Sequence, residues 1–178
     1  IQAIAEKNAE LAGLQAELAA KIEDLTKYSK VIDANLADVK RRFDEIRTKV
    51  ETAGKVTDVL GMVLLAHRDK LPNISRNLRR LKGRASEISL AQFHAMERDR
   101  EWSELSSLSD EIDAVLAQLD PSVGEAERET ITKQATSYYE SQRKTLQVIT
   151  DLYSNYGAML ANLDARERRY VETVQEYA

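Results

Sequence analysis

The chain has 178 residues, with 26 Lys plus Arg against 30 Asp plus Glu for a net charge of −4, six glycines, two prolines and no cysteine. An acidic balance gives no general electrostatic case for polyanion binding, and the lack of cysteine excludes disulfides, thiol catalysis and cysteine-held metal. With 31% charged residues and little aromatic material, the composition points to long helices or coiled coil, and to an elongated body rather than a thick core.

Bulky residues recur at Leu11, Leu14, Leu18, Ile22, Leu25, Tyr28, Ile32, Leu36, Val39, Phe43, Ile46 and Val50. The mean step is about 3.5 residues, the period of a coiled-coil seam. Two runs of four-residue steps, Leu14–Leu18–Ile22 and Tyr28–Ile32–Leu36, shift the register toward a straight helix. Gly54 and Gly61 each cost about 1 kcal/mol relative to alanine but carry no full turn signal. The first helix is therefore expected over 1–70, bent near Gly54. Its stretch VLGMVLLA, Val59 to Ala66, is apolar around the whole circumference and is expected to be covered on several sides, by a missing segment or another subunit. At eight residues it falls far short of the roughly 20 that span a bilayer. Because the chain starts at Ile1 with a polar, helical pattern, it is read as a fragment of a larger protein.

Pro72 removes an amide hydrogen and clashes with the preceding turn, so the helix must end or kink there, and Asn73 is a suitable N-cap for the next one. A second helix is expected over 73–119, with a seam at Ile74, Leu78, Leu81, Ala85, Ile88, Gln92, Ala95, Trp102, Leu105, Leu108, Ile112, Val115 and Leu119, and a polar gap around Asp99. DPSVGE ends it: Pro121 blocks continuation, and Ser122 with Glu125 has the spacing of a capping box. The third helix, over 122–178, carries Leu146, Ile149, Tyr153, Tyr156, Leu160 and Leu163, then Tyr170, Val174 and Tyr177. Its seam passes through Glu167, where a carboxylate costs stability unless it has a partner and so marks register or the end of a contact. The four seam tyrosines read as core packing rather than a base-stacking platform. The expected fold is all-α: an elongated antiparallel three-helix arrangement with coiled-coil character, forming a single domain over 1–178.

Enzymatic constellations fail. His67 and His94 lie on separate helices outside any H-E-x-x-H or E-x-x-H pattern, and neither G-x-G-x-x-G, a P-loop nor G-x-S-x-G is present. No catalytic, cofactor-binding or metal-ligating residue is assigned, and the chain is not read as an enzyme. From Lys70 to Arg84 there is no acid, and Arg76, Arg80 and Arg84 recur every four residues. They define one candidate interaction face, suited to phosphates of lipid head groups or nucleic acid. The same spacing arises if they are the solvated side of an amphipathic helix, or pair with Asp38, Asp44, Glu45 or Glu51. That plainer reading is preferred, and nucleic acid is not expected as a partner.

Val59 to Asp110, with its Leu71-Pro72 corner followed by an arginine-rich helix and ELSSLSD, resembles a stretch of the large mechanosensitive channels of the MscS family, of the MscK (KefA) type. Ser141 to Ala178 is similar to the part of that family just before its first inner-membrane helices, through Arg143, Leu146, Tyr153, Tyr156, Leu160, Leu163, Asp164, Glu167, Arg168, Val174 and Tyr177. The resemblance covers about half the chain in detail, and Gly83 within the arginine-rich helix departs from it. It implies a helical domain on the periplasmic side of the bacterial inner membrane, upstream of transmembrane helices absent from this chain. The family's heptameric pore releases solutes on osmotic downshock, and the domain would modulate its assembly or gating. Expected partners are the rest of the parent channel and its neighbouring subunits, with no cofactor and with membrane contact only through the absent spans. The alternative is a soluble coiled-coil scaffold or adaptor.

Overall fold

The computed structural model describes residues 1–53 and 58–178. Among them are five helices and no strand: α1 Gln2–Ala53, α2 Asp58–Arg68, α3 Ser75–Glu104, α4 Leu108–Ala117 and α5 Glu125–Glu176. The all-α class is as the periodicity predicts. The chain divides into two compact units, each discontinuous in sequence: Ile1–Ile22 with Ser89–Ala158, and Glu23–Ile88 with Met159–Ala178.

In the first unit, Leu11, Leu18, Ala95, Leu105, Leu146, Ile149 and Tyr153 form the buried core, with Trp102 and Tyr139 packed against it. Arg143 lies over the Trp102 ring at 4.6 Å, and the His94 and Tyr153 rings are 5.2 Å apart. A Cβ on Gly157 would sit 3.5 Å from that of Ala91. Descending α3 thus pairs with ascending α5, so the two are antiparallel. Asn8 Nδ2 anchors α1 to α5 by donating to the Tyr138 carbonyl at 3.0 Å.

The second unit buries Ile32, Val39, Leu81, Leu163, Tyr170, Val171 and Val174, with Leu71 and Ile74 from the corner packed alongside. Arg166 pairs with Asp33 at 2.8 Å, and Phe43 stacks on Tyr177 with centroids 3.7 Å apart. Both numbers rise together, so α1 and α5 run parallel here.

Every seam position expected on α1, from Leu11 to Val50, is buried or partly buried. The single helix expected over 1–70 is not what forms. Ile46 and Leu64 line one cavity, whereas eighteen residues along an unbroken helix would separate them by about 27 Å. The expected bend at Gly54 lies outside the described residues. Within α2 only Leu60 is buried, so the described residues do not supply the expected cover over VLGMVLLA.

The corner forms as the proline demands. Lys70 and Leu71 amides donate to the His67 and Arg68 carbonyls, closing α2, and Asn73 Oδ1 accepts from the Ser75 amide at 2.9 Å, capping α3. The second helix expected over 73–119 is broken between Glu104 and Leu108. The last turn tightens there, with the Leu105 and Ser106 amides donating to the Trp102 and Ser103 carbonyls three residues back, and α4 starts after Ser107, whose Oγ donates to Asp110. The break leaves Leu105 buried in the first core.

The capping box at Ser122 and Glu125 does not form, because Asp120 Oδ1 takes both the amide and the hydroxyl of Ser122. The helix starts at Glu125, with the Gly124 carbonyl accepting from Arg128. Glu125 and Glu127 in that first turn suit the positive end of the helix dipole.

Candidate functional site

The seam of α3 differs from the expected one by one residue at alternate positions. Ile74, Asn77, Leu81, Arg84, Ile88, Ala91, Ala95, Arg98, Trp102 and Leu105 are buried or partly buried, while Leu78, Ala85 and Gln92 are exposed. The observed spacing alternates three and four without interruption, and the polar gap around Asp99 is bridged by the partly buried Arg98. Hydropathy favours Leu78 over Asn77 and Ala85 over Arg84. The fold chooses otherwise because α5 sets a carboxylate opposite them.

That carboxylate is Glu167, fully buried in the second unit. Its Oε2 accepts from Arg84 Nη2 at 2.8 Å, and its Oε1 accepts from Asn77 Nδ2 at 2.9 Å and from the Tyr28 hydroxyl in a short bond. Three helices thereby contribute to one polar cluster: Tyr28 from α1, Asn77 and Arg84 from α3, Glu167 from α5. Above it the Arg80 guanidinium lies 4.4 Å from the centroid of the Tyr28 ring, in cation–π range. Burial, and then the hydrogen bond to Glu167, push the Tyr28 phenol above its ordinary range, with Arg80 opposing. Arg84 Nη1, also buried, finds no acceptor among the described residues.

The three arginines expected on one face are therefore separated. Arg76 and Arg80 are exposed, and Arg84 is buried as the partner of Glu167. The expected pairing with acids of the first helix is likewise not made. Asp38 and Glu45 take Arg41, Asp38 also takes Arg42, and Asp44 and Glu51 take Arg47, all along α1 itself. These are exposed pairs at helical spacing, which solvent screens and which contribute little to stability. Glu167 was visible in the sequence as the one carboxylate in a strict apolar seam. Asn77 and Tyr28 carried no comparable signal, since neither breaks a local pattern.

Through Arg84 and Glu167 the cluster joins the segment Val59–Asp110 to the segment Ser141–Ala178. In the second of these segments Leu146, Tyr153, Leu160, Leu163 and Val174 are buried, and Arg168 Nε donates to Asp164 at 2.9 Å. Chemically, the cluster can hold helices in register: two charges meet in a dry seam with polar donors fixed around them. It offers no open position for a substrate. Among the described residues there is no group of three or more His, Asp or Glu placed to hold a metal ion, and no helix long and apolar enough to cross a membrane. No protein-family model, curated protein or solved structure matches the chain.

Proposed function

We propose that the chain is a force-transmitting helical module, the periplasmic domain of a large mechanosensitive channel of the MscS type, modulating assembly or gating of a pore that opens on osmotic downshock. The observation that carries the reading is the Arg84–Glu167 pair, which ties together the two sequence stretches similar to that family. Sliding α5 by one turn, about 5.4 Å, would leave both charges buried and unpaired, at a cost of several kcal/mol. Helices locked in this way move as a unit or switch register in a discrete step, which is what a mechanical element requires. Its partners in this reading are the remainder of the channel and the neighbouring subunits, on the periplasmic side of the inner membrane.

The test is to read the coding sequence on both sides of this segment and record the parent protein by patch clamp with and without it. Apolar stretches of about 20 residues followed by a β-rich soluble part are expected. Deletion is expected to leave a pore with an altered tension threshold or desensitisation. Identical records with and without the segment overturn the modulatory role. Absence of any spanning stretch overturns the channel reading.

A second reading, a coiled-coil scaffold or adaptor, is favoured by one observation. Leu90, Phe93 and Met96 stand 55%, 55% and 71% exposed on α3, an apolar patch of the kind that marks docking surfaces.

A further inference from the structure

In the second unit a cavity of about 300 Å³ opens between α1, α2 and the corner at Pro72. Its apolar lining comes from Val39, Phe43 and Ile46 of α1, Leu64 of α2, Leu71 of the corner, and Tyr177, whose ring lies flat on Phe43 with only 3° between planes. An apolar cavity of about 150 Å³ holds a benzene, so this one has room for roughly twelve carbons. It sits at the lower end of the size range of ordinary ligand pockets, about 300–1,000 Å³.

The charged side chains at its rim are not equivalent. Arg41 and Arg42 are already committed to Asp38 and to Glu45, the one acid in the lining, so these four charges balance. Arg68 meets only the exposed Asp69, at 3.6 Å, and Lys70 has no ion pair among the described residues. His67 lies beside them on the same rim and adds a ring nitrogen. The carbonyls that end α2 would repel an anion, but those of Leu65, His67 and Arg68 are taken up by the amides of Asp69, Lys70 and Leu71. One edge of an apolar cavity therefore carries positive charge without a built-in counter-ion of equal strength.

From this geometry we infer that the cavity binds an amphiphilic monoanion, an unbranched aliphatic carboxylate of about ten to twelve carbons. Its tail lies against Phe43, Ile46 and Leu64, and its carboxylate is held at Arg68 and Lys70. The inference is independent of the channel reading, since it rests on the cavity alone.

Dodecanoate, titrated below its micelle concentration into the full 178-residue chain and followed by calorimetry, is the probe. Dodecanol and acetate serve as tail-only and head-only controls. Saturable binding of one dodecanoate per chain is expected, at least tenfold tighter than either control. Arg68→Glu combined with Lys70→Glu is expected to weaken it at least tenfold with helicity unchanged by circular dichroism, as both side chains are exposed. Leu64→Trp, which fills the cavity from a half-exposed position, is expected to abolish it whatever the behaviour of the charge variant. No saturable binding, equal affinity for dodecanol or acetate, or dodecanoate binding unaffected by either the charge variant or Leu64→Trp overturns the inference.

Discussion

Arg84 Nη2 donates to Glu167 Oε2 across 2.8 Å, between side chains only 4% and 0% exposed and 83 residues apart in sequence. Desolvating two charges costs several kcal/mol each, so the pair gains little net stability, whereas losing one partner strands the other. Glu167→Leu or Arg84→Leu alone is expected to destabilise the second unit by about 3–5 kcal/mol, and the double replacement by much less. Urea unfolding of the four proteins gives the coupling energy directly. Additive losses would remove the pair from its assigned role.

Tyr28→Phe tests the other arm of the cluster. It leaves Glu167 Oε1 with Asn77 alone, an expected loss of about 1–3 kcal/mol. The alkaline limb of stability is informative as well. The folded-state pKa of Tyr28 is raised, so its contribution is fully present below the unfolded phenol value near 10 and is lost as pH rises through the higher folded value. Tyr139, Tyr153 and Tyr170 are raised mainly by burial and act in the same direction. Absorbance titration at alkaline pH should show tyrosine ionisation delayed relative to free tyrosine, with one late-titrating group missing in the Tyr28→Phe variant.

Two glycines make opposite predictions. A Cβ at Gly83 would meet only Glu87 Oε1, at 3.9 Å, so Gly83→Ala is expected to stabilise α3 by about 0.5–1 kcal/mol. At Gly157 the added carbon would reach ordinary contact with Ala91, and larger side chains would be driven into α3. Gly157→Leu is expected to cost about 1–3 kcal/mol by overpacking. Thermal unfolding of the two variants should therefore shift in opposite directions.

Removing a cap should be visible too. Asn73→Ala deletes the acceptor for the Ser75 amide at the start of α3, an expected loss of about 1 kcal/mol. Asn73→Asp should retain most of it, because the carboxylate accepts the same bond. Denaturant midpoints of the two variants separate capping from a mere turn preference.

How far the sequence could be read depended on whether the interior was apolar. The α1 seam was legible because each bulky side chain of its rhythm, from Leu11 to Val50, is buried or partly buried. On α3 the same logic failed at Asn77, Arg84 and Arg98, since their burial depends on what they meet on another helix and no local pattern encodes that. Glu167 announced itself as a carboxylate in an otherwise apolar rhythm, yet its partner hid one position from Ala85, the residue that hydropathy prefers. The breaks were hard for a different reason. Ser103, Ser106 and Ser107 are each tolerated in a helix, so none of them marks the break. Further on, Asp120 captured the serine that a capping box would have used.

Neither compact unit is a continuous piece of chain. One is assembled from residues 1–22 and 89–158, the other from 23–88 and 159–178. No single cut releases either intact, and a polypeptide emerging from the ribosome cannot complete the second until residues 159–178 appear. Until then Tyr28, Asn77 and Arg84 wait in water for a carboxylate that has not yet been translated. Truncation at residue 158 would keep every segment of the first unit while orphaning that cluster. Synthesis thus imposes an order: the first unit has all its parts before the last segment of the second is made, and the buried charge pair closes among the last contacts.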